Sequence, residues 1–267
     1  MSDSGDHRDG HTRLTGRKPA LLGEPIVQSI VFILVVSTLF FIFPGIDVWF
    51  SGLFYDPSTG FPLSRLDALK ALRSIGKWLI IGAVVALVAA PLIKLARPRQ
   101  PTPVPPRDIL FLLSTLAIGP GLVVNLILKE YWGRPRPMMV EIFGGEAPFV
   151  TVWRMSDYCL TNCSFVSGEA SAAIWLVALA VIAPPNWRRA AMKILFVLAV
   201  FLSLNRVAFG RHFLSDILLA WGLTLLVIAV MHRSIVKHPP DWLRNDRLEA
   251  WLTRFGMRLR SGPGPLP

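Results

Sequence analysis

Three short segments of this chain combine residue types that can hold and transfer a phosphate. The first, KEYWGRPRP, puts Lys129, Arg134 and Arg136 into one turn stiffened by Trp and Pro. A guanidinium fork such as that of Arg136 matches two phosphate oxygens and Lys129 adds a compact charge, so the cluster reads as an anion clamp. Taken singly, the same cations would snorkel to lipid headgroups. The second segment, CSFVSGEAS, places Ser167 and Gly168 at a predicted helix start. Unpaired N–H groups and the helix dipole attract an anion there, and Gly lets it come close; a plain helix cap is the alternative. The third, NRVAFGRHFLSD, sets Arg206, His212 and Asp216 in order, the last two four residues apart. On a helix that spacing brings imidazole and carboxylate to one face. Asp216 would hold the ring's N–H and stabilise the imidazolium, leaving the other nitrogen to attack phosphorus.

The elements that must position these residues belong in a bilayer. Hydrophobic residues make up 53% of the chain and charged residues 17%, with a mean hydropathy of +0.51, too apolar for a soluble domain. Six stretches approach the roughly 20 apolar residues that a spanning helix needs: 26–43, 78–96, 109–128, 166–183, 191–209 and 213–231. The fold class is therefore all-α, a polytopic membrane helix bundle of about six transmembrane helices. Residues 1–25 form a polar cytoplasmic tail, 26–231 the membrane domain and 232–267 a cytoplasmic C-terminal tail. No small-residue cleavage site follows the first apolar run, so that span is expected to be retained.

Lys and Arg cluster in the N-terminal tail (Arg8, Arg13, Arg17, Lys18), over 94–107, over 188–193 and from Arg233 onward. Alternate connections put all four clusters on one side, which the positive-inside rule makes cytoplasmic, with both termini there. The net charge of +11 is thereby explained by membrane topology, and no nucleic-acid partner is implied. The outer face receives 44–77, 130–165 and the connection at 210–211. All three phosphate-binding segments fall at span ends assigned to that face from charge bias alone.

Within 44–77, Ser64 and Asp67 resemble a capping box ahead of Leu66, Leu69, Ala71, Leu72 and Ile75, which predicts a short helix lying on the bilayer surface. It would serve as a lid or as packing between spans. The Pro-rich RPRQPTPVPPRD is a cytoplasmic linker. Cys159 and Cys163 share the outer loop, where an oxidising compartment lets them pair; two free thiols are the alternative. Two thiols without further ligands make a poor metal site.

In order and spacing, the three segments resemble the signature of the type 2 phosphatidic acid phosphatase and haloperoxidase superfamily. Its first motif, Lys, six residues, Arg-Pro, is matched from Lys129 to Arg136-Pro137. Its third, Arg, five residues, His, three residues, Asp, is matched by Arg206, His212 and Asp216, with Asn205 where the family has Ser. The middle motif, Pro-Ser-Gly-His, is Val166-Ser167-Gly168-Glu169 here, so the family's proton-donating histidine is replaced by a glutamate. The resemblance covers about 129–216.

The resemblance implies a lipid phosphate held by Lys129, Arg136, Arg206 and the Ser167–Gly168 amides, without metal or cofactor. His212 would form a phosphohistidine that water releases, steadied by Asp216, while Arg134 and Arg211 would be auxiliary cations for further acidic groups. Glu169 could donate a proton only when protonated. It could instead orient Arg206 or Lys129, or bind a headgroup hydroxyl or amine. The setting implied is the periplasmic face of a bacterial inner membrane, among membrane lipids and with no obligate protein partner. Lipid A is the leading substrate; undecaprenyl diphosphate, phosphatidylglycerophosphate and phosphatidic acid are alternatives. A lipid phosphotransferase and a catalytically inactive lipid-binding protein are the rival classes.

Overall fold

The computed structural model describes residues 24–261. Its principal helices are α1 (Pro25–Ile42), α2 (Gly45–Gly52), α3 (Asp67–Ala96), α4 (Pro106–Tyr131), α5 (Gly168–Ile182), α6 (Pro185–Ala208), α7 (Leu214–Lys237) and α8 (Asn245–Ser261). Helices α1, α3, α4, α6 and α7 are each long and apolar enough to cross a membrane, and α5 is a shorter apolar helix. Together they account for the six predicted spans, with shifted ends. The chain is a multi-pass membrane protein built as an all-α bundle.

The bundle is apolar on both its inner and outer surfaces, as a helix in lipid must be. Phe111, Leu112, Ile174 and Trp175 are buried at the centre, while Leu34, Phe41, Trp78, Val85, Leu126 and Phe201 face outward. The buried indole N–H of Trp175 is satisfied: Nε1 donates to the Leu112 carbonyl and to Thr115 Oγ1, each at 3.1 Å.

The stretch predicted to lie on the surface is instead the start of α3. Ser64 Oγ donates to the Phe61 carbonyl at 2.7 Å, and Leu66, not Ser64, is the N-cap residue, so the predicted capping box does not form. Nothing at residues 75–78 stops the helix. Gly76 lies where a Cβ would run into the Leu202 side chain, so it serves close packing of α3 on α6 rather than a break. At 30 residues, α3 is about 45 Å long against a hydrocarbon thickness of about 30 Å, and its first turns carry Asp67, Lys70, Arg73 and Lys77. Asn205 Nδ2 ties them to the bundle through the Leu69 carbonyl at 2.9 Å.

Alternation of the spans brings the start of α3, the end of α4, the start of α5, the end of α6 and the start of α7 to one end of the bundle. At the other end, α8 makes an ordered cap over a region predicted only as tail and linker. Lys94 Nζ lies 2.7 Å from Glu249 Oε1, and Asn245 Oδ1 accepts from the Arg107 N–H at 3.1 Å. The N-terminal cluster of basic residues lies outside the described residues.

Candidate active site

The site is built outward from the first turn of α7. Asp216 is the third helical residue, and its Oδ2 accepts the Phe213 N–H at 2.9 Å, capping a helix end that favours negative charge. Its Oδ1 accepts from Arg134 Nη1 at 2.6 Å. Arg134 also donates through Nη2 to Asp47 Oδ2 at 2.9 Å and through Nε to the Val150 carbonyl at 2.8 Å. Asp47 Oδ1 in turn accepts the Ser215 N–H at 2.9 Å. Arg134 is 0% exposed and its guanidinium lies 4.4 Å over the Phe213 ring. It therefore has no surface for a substrate. Expected as an auxiliary cation, it is instead the buried link between α2, the loop ahead of α5 and α7.

His212 precedes α7 rather than standing on it. Its Nδ1 is 2.8 Å from the Ser164 carbonyl and 3.9 Å from Asp216 Oδ2. A carbonyl can only accept, so Nδ1 carries the proton and the Nε2 lone pair is left to attack. The direct ring contact expected of Asp216 goes to Ser164. Asp216 acts one residue removed, since Ser164 Oγ donates to Asp216 Oδ2 at 2.5 Å and fixes the segment that presents the carbonyl. His212 is 2% exposed. Burial, and then the charges of Arg206, Arg136 and Lys129, hold it well below its ordinary value of 6.5, so the ring is neutral.

Those three cations surround the imidazole. Arg206 stands in the last turn of α6, where the helix dipole favours a cation. It is 4% exposed, and its Nε and Nη1 are buried without a hydrogen-bond partner among the described residues. Arg136 Nε and Nη2 donate to the Asn162 carbonyl at 3.1 and 2.6 Å. Asn162 lies inside the loop closed by a Cys159–Cys163 disulfide, which the structure forms. Lys129 follows a π-helical stretch of α4 (Ala117–Leu128) that contains Pro120, whose carbonyl accepts from Asn125 Nδ2 at 2.7 Å. Arg211 is exposed.

At the start of α5, Ser167 is the N-cap residue, and its Oγ accepts from the Ala170 N–H at 3.2 Å. The Ser167 N–H, expected to be open to an anion, donates to the Asp216 carbonyl at 3.2 Å. The first two helical N–H groups, those of Gly168 and Glu169, are left without a helical acceptor. Gly168 is required for packing as well, because a Cβ there would run into the Asn125 side chain.

Glu169 lies between two guanidiniums. Arg73 Nε donates to its Oε2 at 3.0 Å and Arg73 Nη2 to its Oε1 at 2.8 Å, while Arg206 Nε stands 3.3 Å from Oε2. A carboxylate so paired orients cations rather than donating a proton.

Asp47, Ser164, Ser215 and Arg73 had not been singled out. The lone acid in GIDVWF, beside an apolar span, was a usable signal, because a carboxylate there needs a partner. The partner of Arg73 is 96 residues away, a distance no local pattern spans.

The PAP2 superfamily profile matches residues 108–239. A lipid A 4'-phosphatase of Rhizobium leguminosarum is 37% identical over 204 residues, which cover 71% of this chain and 87% of that protein. A lipid A 4'-phosphatase of Francisella tularensis subsp. novicida is 33% identical over 222 residues, covering 78% of this chain and 96% of that protein. The crystal structure of a PAP2 type phosphatidylglycerolphosphate phosphatase from Bacillus subtilis superposes with a TM-score of 0.54 at 19% identity, covering 82% of this chain and 98% of that one.

Proposed function

The chain belongs to the PAP2 superfamily and is a membrane phosphatase acting on phosphate monoesters, and from that premise we propose that it removes the 4'-phosphate of lipid A at the periplasmic face of a bacterial inner membrane. The observation that carries the chemistry is His212: a buried, neutral imidazole with Nδ1 committed to a carbonyl, in the field of Arg206, Arg136 and Lys129. The substrate assignment is supported by the lipid A 4'-phosphatases, which match this chain over most of their length at 33–38% identity. The side is supported by Arg97, Arg99, Arg107, Arg188 and Arg189, which flank the helix ends opposite the site. The same rule places both termini in the cytoplasm.

In the first step His212 Nε2 attacks phosphorus in line, the N–P bond forms and the bond to the sugar oxygen breaks. Arg206 and Arg136 hold the equatorial oxygens, and the Arg206 N–H groups that lack a hydrogen-bond partner are donors available to an anion. The Gly168 and Glu169 N–H groups add to the same cradle. Lys129, which makes no ion pair among the described residues, meets the charge that develops on the leaving oxygen, which takes a proton from solvent water and departs as a hydroxyl. In the second step water attacks the phosphohistidine, the N–P bond breaks to restore neutral His212, the water's proton passes through the Glu169 carboxylate to solvent, and phosphate leaves. Glu169 thus keeps Arg206 in place and serves as base, a role that suits an ionised group where a proton donor would not.

Inorganic phosphate release from purified lipid A tests this directly. Wild type should release the 4'-phosphate and leave the other phosphate on the product, and His212→Ala should lower the rate by roughly 10⁴ or more while remaining folded. No release by wild type, or undiminished release by His212→Ala, would overturn the proposal.

A further inference from the structure

The first turns of α3 bring to the site more positive charge than one phosphate requires. A cavity of about 610 Å³ lies between α3, α4, α5 and α6, and Lys70, Arg73, Lys77 and Lys129 line it against a single carboxylate, that of Glu169. Ile80, Ile81, Ala172, Ala173 and Leu202 give it apolar walls as well, so the cavity offers both charged and greasy surface, as a lipid does. Lys70, Arg73 and Lys77 are three, then four residues apart, which puts them on one helix face over roughly 10 Å.

The members of this face are differently committed. Arg73 is fixed by its hydrogen bonds to Glu169. Among the described residues Lys70 pairs only with Asp67, at 2.9 Å, the two side chains being 53% and 96% exposed, and such pairs contribute little. Lys77 makes no ion pair among the described residues. None of the three belongs to the cradle around His212, yet they share a cavity with Lys129, which does. A neutral leaving group, such as a diacylglycerol, would leave this charge uncompensated.

We propose that the α3 face formed by Lys70, Arg73 and Lys77 is a second anion subsite, which binds a further phosphomonoester on the same lipid while the first phosphate reacts at His212. It rests on the reading of His212 as the reacting site and adds the specificity element: the lipid is chosen for carrying two phosphates, one read by α3 and one by the clamp of Lys129, Arg136 and Arg206. Arg73 sits at the boundary between the two subsites, because Glu169 joins it to Arg206. Lysines that merely snorkelled to bulk headgroups would act alike on every lipid substrate.

The test uses the full chain in mixed micelles with two substrates, a glycolipid carrying two phosphomonoesters and the same lipid lacking the non-reacting one. The quantity read is the ratio of kcat/KM for the first over the second. Lys77→Ala and Lys70→Ala should each lower that ratio roughly tenfold, mainly through KM, and Lys77→Glu should lower it further, as expected for loss and then reversal of a charge-assisted contact. A ratio unchanged by all three variants, with wild type active on both lipids, overturns the subsite and leaves the phosphatase reading standing. Absence of release from either lipid by wild type overturns both.

Discussion

Arg134 and Arg206 are both buried guanidiniums at the same end of the bundle, 0% and 4% exposed, and they do opposite work. All three nitrogens of Arg134 are hydrogen-bonded, to Val150, Ser215, Asp216 and Asp47. Arg206 keeps Nε and Nη1 without a hydrogen-bond partner, although a carboxylate stands 3.3 Å away. Burying a charge is tolerable only when it is paired and hydrogen-bonded. A fully paired cation is therefore a fastener. An under-paired one, gathered with Arg136 and Lys129 around a neutral histidine, is where the proposed phosphate would supply the missing hydrogen-bond partner.

The contrast is broken most severely at Arg134. Arg134→Ala leaves Asp47 and Asp216 as uncompensated buried carboxylates and should lower stability by about 3–5 kcal/mol. Thermal unfolding in detergent, followed by size exclusion, would show it; an unfolding midpoint equal to wild type would mean that the paired cluster holds nothing together. Arg206→Ala should do the reverse. It removes one of several crowded positive charges, so the fold should be as stable as wild type or more so, while kcat/KM falls by roughly 10²–10³ for loss of donors aimed at the transferring phosphoryl group. An equal loss of stability in the two variants would erase the distinction.

The smallest effect is in pH. His212 is depressed well below 6.5 by burial and by Arg206, Arg136 and Lys129, so its neutral, nucleophilic form persists as pH falls through 6.5. The acid limb of kcat/KM should accordingly lie below pH 6.5 and move upward in Arg206→Ala, where one of the repelling charges is gone. A limb at or above 6.5 in wild type would contradict the neutral, buried imidazole.

Much of the architecture was legible because a bilayer imposes a simple code. Continuous apolar runs must be helices, since no water satisfies their backbone, and flanking Lys and Arg orient them. The ends were less legible. The start of α3 read as a separate surface helix because amphipathic spacing marks a helix but not whether it continues into the next span. At the site, Lys129, Arg136, Arg206 and His212 were found by type and spacing, and the structure gathers them. Asp216 was found too, but its tie to the imidazole passes through Ser164, because the four-residue spacing aligns side chains only when both residues are helical and His212 lies before α7. Arg134 and Arg136 sit two apart in RPRP, and nothing local tells which is the fastener and which the clamp.

The sequence by itself determined an all-α membrane bundle, the histidine proposed here as nucleophile and the set of residue types around it, because helix periodicity, bilayer length and motif spacing are all local quantities. Only the tertiary structure decided which cations are spent and which are free, that Glu169 is held between Arg73 and Arg206, and that α3 adds its basic face to the cavity. Those outcomes depend on pairing across many tens of residues, where the desolvation cost of a charge is met or left unmet by partners that only packing brings into reach.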